Sequence, residues 1–192
     1  KFMSKVYVFP GQGSQKVGMG AELFEKYSDL VAQADEILGY SIAELCTEGP
    51  VEKLSQTQYT QPALFVVNAL TYLDTIDNGG EKAVFTAGHS LGEYNALFAA
   101  GVFDFATGLK LVQKRGEIMS KVEGGGMAAV LGMSPDAIKE TLVTANLDKV
   151  DVANLNSPKQ TVLSGMKEDV IAAEEAFKAA GAKRYIVLPV SG

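Results

Sequence analysis

Short apolar runs that stop at glycine or proline alternate along this chain with longer stretches in which apolar residues return every third or fourth position. The first run, Val6-Tyr7-Val8-Phe9, is stopped by Pro10-Gly11. Unbroken apolarity over so short a stretch, bounded by a turn signal, predicts a buried strand of a parallel sheet. Beyond a loop at 11–20, Leu23, Phe24, Tyr27, Leu30, Val31 and Ala34 recur at helical spacing until Gly39. Ser41 and Glu44 form a capping-box pattern, which predicts a helix start because each side chain can satisfy a backbone N–H that the first turn leaves unpaired. Pro62 suits the first turn of another helix, whose stripe of Leu64, Val67, Leu70 and Leu73 ends before Asn78-Gly79-Gly80. Residues 83–87 predict a second buried strand.

Gly124-Gly125-Gly126 packs nothing and loses much backbone entropy on ordering, so it reads as a hinge or linker. It sets the expected division into a larger subdomain, 1–125, and a smaller one, 126–192. In the second part, residues 127–131 predict a strand and Ser134 caps a helix opened by Pro135. Residues 150–153 and 161–163 then flank the turn residues Asn156-Ser157-Pro158. A further helix covers 167–180, stops at Gly181, and is followed by a strand at 184–188. The order βαββαβ is the ferredoxin-like pattern.

Composition narrows the function classes. The 192 residues are 47% hydrophobic and 21% charged, as in an ordinary folded protein with a substantial core. A net charge of -6 disfavours nucleic acid and anionic membrane surfaces as partners, since both demand clustered Lys and Arg. No apolar run approaches the length of a membrane span. The single Cys46 permits no internal disulfide and reads as a small buried apolar residue, which suits a reducing, cytoplasmic setting. Neither Cys46 nor the single histidine belongs to a cluster with metal-ligand spacing, so no metal is expected.

The sharpest chemical signal is Gly88-His89-Ser90-Leu91-Gly92, set between the strand at 83–87 and a helical segment at 93–100. Strand, Gly-x-Ser-x-Gly, helix is the context of a nucleophile elbow, in which a tight turn projects a serine from the sheet. The helix start adds free backbone N–H groups and the positive end of a dipole, so the Leu91 N–H is a natural donor to a developing oxyanion. The plainer alternative is a strand-to-helix turn in which Ser90 only caps the helix. A second glycine-rich loop, Gly11-Gln12-Gly13-Ser14-Gln15, follows the first strand and offers a further backbone donor. It is not a phosphate loop, because Met19 and Gly20 stand where that motif needs Lys and Ser or Thr.

Arg115 is the most informative charge. Its helical neighbours Leu111, Val112, Ile118 and Met119 are apolar, which predicts a buried face, whereas Lys110, Lys114, Glu117 and Lys121 form a solvated stripe. A buried guanidinium needs an anion. That anion is either an Asp or Glu elsewhere in the fold or, beside an activated serine, the free carboxylate of a bound acyl group.

Taken together, Phe9-Pro10-Gly11-Gln12-Gly13-Ser14-Gln15, Thr60-Gln61-Pro62-Ala63-Leu64, Gly88-His89-Ser90-Leu91-Gly92-Glu93, Arg115-Gly116, Asn154-Leu155-Asn156-Ser157-Pro158 and Leu188-Pro189-Val190-Ser191 resemble the malonyl-CoA:acyl-carrier-protein transacylases and related acyltransferase domains of fatty-acid and polyketide synthesis. The resemblance runs over essentially the whole chain. It implies an α/β fold: an α/β-hydrolase-like large subdomain carrying a ferredoxin-like small one. It further implies Ser90 as the acylated nucleophile, the backbone N–H groups of Gln12 and Leu91 as the oxyanion hole, Arg115 on the malonyl carboxylate, and Asn154 in the substrate cleft. The implied substrates are malonyl-CoA and an acyl carrier protein, with coenzyme A thioester as substrate and no cofactor. The family's base is a histidine a few residues after the Pro-Val-Ser segment, and the only histidine here is His89, a poor base for its own neighbour. The expectation is therefore a chain incomplete at its C-terminus, continuing for about another hundred residues. Two other classes use the same residues: a serine acyl hydrolase that releases the acyl group to water, and a carrier- or acyl-binding module without turnover.

Overall fold

The computed structural model describes residues 5–188. The first elements are β1 (Val6–Phe9), α1 (Ala21–Lys26), α2 (Ser28–Leu38), α3 (Ile42–Thr47), α4 (Val51–Leu54), α5 (Thr57–Asp77), β2 (Phe85–Gly88), α6 (Gly92–Ala99) and α7 (Phe105–Met119). They are followed by β3 (Gly125–Leu131), α8 (Pro135–Thr144), β4 (Val150–Ser157), β5 (Gln160–Met166), α9 (Lys167–Ala172), α10 (Glu174–Ala179) and β6 (Arg184–Leu188). The chain is mixed α/β and divides into two compact units, Lys1–Ser120 and Lys121–Gly192.

Local signals account for most boundaries. Ser41 caps α3 by accepting from the Glu44 N–H, and Ser134 caps α8, with Pro135 in its first turn, by accepting from the Ala137 N–H. Gly39 ends α2 in the left-handed conformation that costs glycine least. The single helix expected over Leu23 to Ala34 is broken at Tyr27 into α1 and α2. Pro62 lies inside α5 instead of in its first turn. The helix starts earlier because the Tyr59 and Thr60 N–H groups bond to Gln56 O and Thr60 Oγ1 donates to Leu54 O at 2.6 Å, so the first turn closes without the proline.

In the first unit β1 and β2 pair in parallel, Val6 opposite Phe85 and Phe9 opposite Gly88. Tyr7 and Phe9 pack edge-on against Tyr72 of α5, and Thr86 Oγ1 donates to Ala96 O of α6. The opposite face does not match the buried strands expected from the sequence: Val8 is 74% and Phe85 67% exposed. A parallel sheet is buried on both faces only when helices cover both, and the described residues cover one.

The core of this unit surrounds α5, where Phe65, Val66, Ala69 and Leu70 are fully buried. Of these, Phe65, Val66 and Leu70 each contribute about 1.5–3 kcal/mol by burial. α7 lies close against α5 because it presents glycine at the contact. A Cβ on Gly108 would meet the Phe65 ring at 2.6 Å, and one on Gly116 would stand 3.2 Å from Gln58 Cα. That approach brings Arg115, the residue before Gly116, to the flank of α5.

The second unit is a four-stranded antiparallel sheet in the order β4-β5-β3-β6. Ala128 and Val130 of β3, Leu163 of β5 and Tyr185 of β6 share one core with Ile138 of α8, Val170 of α9 and Phe177 of α10. The division of the chain precedes the triple glycine because Gly125 and Gly126 are not linker. They pair with Met166 and Gly165, and a Cβ on Gly126 would meet Lys167 Cα at 2.8 Å, so glycine there admits a close strand-to-helix contact. Asn156 and Ser157 likewise belong to β4, which shortens the β4–β5 turn to Pro158 and Lys159.

Candidate active site

The Gly88 to Gly92 segment forms a tight turn between β2 and α6. Ser90 adopts φ 52, a left-handed conformation that costs a side-chain-bearing residue about 1–3 kcal/mol and persists only where its surroundings enforce it. Those surroundings are backbone. A Cβ on Gly88 would fall 1.9 Å from the Gly92 carbonyl carbon, one on Gly92 would fall 2.1 Å from Phe9 O, and one on Gly11 would fall 2.4 Å from His89 O. Three glycines therefore let β1, β2, the loop after β1 and the start of α6 meet where Ser90 stands.

The turn's hydrogen bonds leave particular donors over. The His89 N–H continues the strand ladder to Phe9 O, while the N–H groups of Gly92, Glu93 and Tyr94 bond to the carbonyls of His89, Ser90 and Leu91. Among the described residues neither Leu91 N–H nor Gln12 N–H has a backbone acceptor. The loop carrying Gln12 is itself fixed. Ser14 donates to Gly11 O through Oγ at 2.8 Å, Gly13 N–H donates to Gln15 Oε1, and Gln12 Nε2 donates to Thr57 Oγ1 at 3.3 Å. Asn68 Nδ2 reaches Pro10 O and Asn95 Oδ1, and the buried Asn95 donates to Phe65 O at 2.9 Å. Polar side chains of α5 and α6 thus hold the loop and the elbow to one helix. His89 Nδ1 lies 3.4 Å from the position a Gly11 Cβ would take, so its ring sits against that loop.

Arg115 closes the site from α7. Nη1 donates to Gln61 Oε1 at 2.6 Å, Nη2 donates to Ser90 Oγ at 3.0 Å, and the guanidinium stands 5.9 Å from the centre of the Tyr94 ring. Among the described residues no carboxylate lies within ion-pair distance of it. The buried face expected for this residue is not found: Leu111 is 46% and Ile118 56% exposed, and Arg115 is half-buried. The buried stripe of α7 runs through Phe105, Gly108, Leu109, Val112 and Gly116, which leaves Arg115 at its edge and free to point along the site. Lys114 pairs with Glu117 on the solvated side at 3.2 Å.

An apolar depression of about 430 Å³ lies along the paired β1 and β2, lined by Val8, Phe9, Pro10, Ala87, Gly88 and His89. Cys46 is no rival nucleophile: it is buried, and burial pushes its thiol up to about 12. Among the described residues no group of His, Cys, Asp and Glu is placed to hold a metal ion, and no helix is long and apolar enough to cross a membrane. Asn154 belongs to the second unit, half-buried on β4 where the register with β5 shifts. Pro189, Val190 and Ser191 lie outside the described residues. Sequence reasoning did not assign roles to Gln61, Thr57, Tyr94, Asn68 or Asn95. The available signal was a glutamine and two asparagines within otherwise apolar helical stretches, since a buried amide has to find partners.

With this geometry established, comparison with known proteins is decisive: the acyl transferase domain family matches residues 6–190. The chain belongs to that family. Among acyl transferase relatives, it is 56% identical over 172 residues to the polyketide biosynthesis malonyl CoA-acyl carrier protein transacylase BaeC of Bacillus velezensis, covering 90% of this chain and 60% of that protein. The solved structure of malonyl CoA-acyl carrier protein transacylase from Burkholderia pseudomallei superimposes with a TM-score of 0.92 at 50% identity, over 100% of this chain and 66% of that one. A type II PKS acyl-carrier protein in complex with its malonyl-transacylase gives a TM-score of 0.89 at 41% identity, covering 97% of this chain and 62% of that one. The chain thus spans about 60% of the curated relative's length.

Proposed function

We propose that this acyl transferase moves a malonyl group from coenzyme A to the phosphopantetheine thiol of an acyl carrier protein through an ester on Ser90. The observation that carries the reading is the 3.0 Å approach of Arg115 to Ser90 Oγ. A fixed cation beside a strained serine suits an acyl group that ends in a carboxylate. Ser90 Oγ attacks the thioester carbon, and the resulting oxyanion is met by the Leu91 and Gln12 N–H groups, each worth about 3–4 kcal/mol in such sites. Collapse of that intermediate expels coenzyme A as thiolate and leaves malonyl-Ser90. The carrier thiol then repeats the attack and regenerates the serine. Arg115 holds the malonyl carboxylate throughout, and we assign Asn154 to the substrate cleft.

The proton of Ser90 needs an acceptor. His89 adjoins the serine in a tight turn, its own N–H and carbonyl both hydrogen-bonded and its ring against Gly11, so we infer that the base comes from outside residues 5–188. Coenzyme A thioester enters as substrate, and we assign no separate cofactor. The strand order β4-β5-β3-β6 supports a ferredoxin-like reading of the second unit, and parallel β1 and β2 with an elbow between β2 and α6 support an α/β-hydrolase-like reading of the first. A single buried cysteine fits the cytoplasm.

The discriminating experiment supplies malonyl-CoA to the full-length protein with and without carrier protein that bears its phosphopantetheine arm. Transfer predicts malonyl-carrier and little free malonate. Release of free malonate at the same rate whether or not carrier is present would make the protein a hydrolase, and absence of any turnover would make it a binding module.

A further inference from the structure

We propose that Ser14 and Asn68 are positioning residues that aim the Gln12 N–H at the developing oxyanion: each holds a carbonyl of the loop after β1, and together they set the peptide plane that carries the donor. The proposal rests on the reading of Ser90, Gln12 and Leu91 given above. In a planar trans peptide the C=O and the N–H point in opposite directions, so whatever holds Gly11 O also directs the Gln12 N–H. Gly11 and Ser14 close a tight turn in which Gly13, at φ 106, takes a conformation that costs glycine least. The backbone bond across that turn is long, 3.3 Å from Ser14 N to Gly11 O, and the Ser14 hydroxyl supplies the short one at 2.8 Å. A donor at the carbonyl also polarises the peptide, which makes the N–H at its other end a better donor. The next N–H along the loop is already engaged, because Gly13 N donates to Gln15 Oε1 at 2.8 Å.

The preceding plane is held in the same manner. Asn68 of α5 donates through Nδ2 to Pro10 O at 3.3 Å and to Asn95 Oδ1 at 3.2 Å, which uses both hydrogens of its amide. Asn95 is fully buried and tied in turn to Phe65 O at 2.9 Å, so Asn68 reaches the loop from a fixed position. With Pro10 O and Gly11 O both held, little rotation is left at Gly11 between the two planes, although glycine by itself would leave much. Leu91 differs. Its N–H shares a plane with Ser90 O, which accepts from Glu93 N at 3.0 Å, a bond of the helix start that needs no side chain. One oxyanion donor is thus aimed by helix geometry and the other by two side chains. Substitution can misdirect the second while Ser90, Leu91 and Arg115 stay in place.

The test measures acylation of Ser90 by malonyl-CoA and by acetyl-CoA in the full-length protein, for wild type, S14T, S14V, N68L and S14V/N68L, with thermal unfolding as a folding control. S14V and N68L, which keep the shape and lose the donors, are each expected to lower the maximal rate of acylation by at least about tenfold with both thioesters alike, leaving KM and the malonyl-to-acetyl ratio within about twofold of wild type. S14T keeps the hydroxyl and should stay within about threefold of wild type, which a role of Ser14 in mere packing would not require. The double variant should lose less than the product of the single losses and no more than about 10³-fold, because both residues act through one donor. Maximal rates within about twofold of wild type in both S14V and N68L overturn the proposal, as do losses confined to KM or to one thioester, or equal losses in S14T and S14V. If either variant does not fold the other decides, and if neither folds S14A, which deletes only the hydroxyl, decides by the same criterion. Acylation of wild type at a residue other than Ser90 would instead overturn the reading of the site itself.

Discussion

Arg115 Nη2 donates to Ser90 Oγ at 3.0 Å, joining the edge of α7 to the turn that opens α6. The bond spends one donor of a cation that no carboxylate among the described residues neutralises. On the proposed reading, a substrate carboxylate arriving at Arg115 would thereby be brought next to the atom that attacks its thioester. Arg115→Ala should accordingly change acyl choice more than chemistry. We expect malonyl over acetyl preference to fall by about 10²-fold or more, since sites built around a polar contact discriminate strongly against ligands that lack it. Rates of acyl transfer from the two thioesters measure this, and an unchanged ratio would reduce Arg115 to a structural residue.

The elbow makes a prediction that needs no substrate. Gly88→Ala puts a methyl group 1.9 Å from the Gly92 carbonyl carbon, where only backbone could yield, so a loss of about 3 kcal/mol or more is expected. Gly101→Ala is the control. It has nothing within 4 Å and is strained only by its φ of 77, which should cost about 1 kcal/mol. Denaturant unfolding compares the two, and similar midpoints would contradict the packing account of Gly88.

How much of this was legible in the sequence depended on the range of the physics. Ser134 with Pro135, Ser41 with Glu44, and the strand-elbow-helix order around Ser90 are local, and the sequence located them to within a few residues. The triple glycine misled because its small size serves a contact with Lys167, distant in sequence, that nothing nearby announces. Arg115 was read as a buried cation needing an anion; it is instead half-buried and meets the neutral Gln61 of α5, a contact that depended on how close α7 could come, which Gly108 and Gly116 decide. The buried amides were visible as anomalies without visible partners. The exposure of Val8 and Phe85 could not be read at all, because an apolar run states what a strand prefers and not what covers it.

Asn95 should matter for stability out of proportion to its size. It is fully buried, donates to Phe65 O and accepts from Asn68, so Asn95→Leu removes two bonds and leaves both partners short. A loss of about 2–3 kcal/mol is expected from unfolding in denaturant. Because Asn68 also holds Pro10 O, the loop bearing Gln12 should loosen, and faster amide hydrogen exchange at residues 11–15 would register it. Unchanged stability and exchange would show the network to be incidental.

Cys46 should be inert in the folded protein. Burial keeps its thiol protonated up to about 12, so alkylation at about pH 8 should proceed only through unfolding. Labelling by iodoacetamide, followed by intact mass with and without denaturant, checks this. Rapid labelling of the native protein would contradict the burial of α3 against the core.

The central claim is that Ser90 carries the acyl group, and one measurement addresses it directly. The full-length protein is mixed with malonyl-CoA, quenched in acid within the first turnover and digested, and the malonylated peptide is located by mass spectrometry alongside that of Ser90→Ala. The account predicts a single malonyl ester on the peptide containing Ser90 in the wild type and none in a folded Ser90→Ala variant. A malonyl group on another residue, or an adduct of equal yield in the variant, would contradict it.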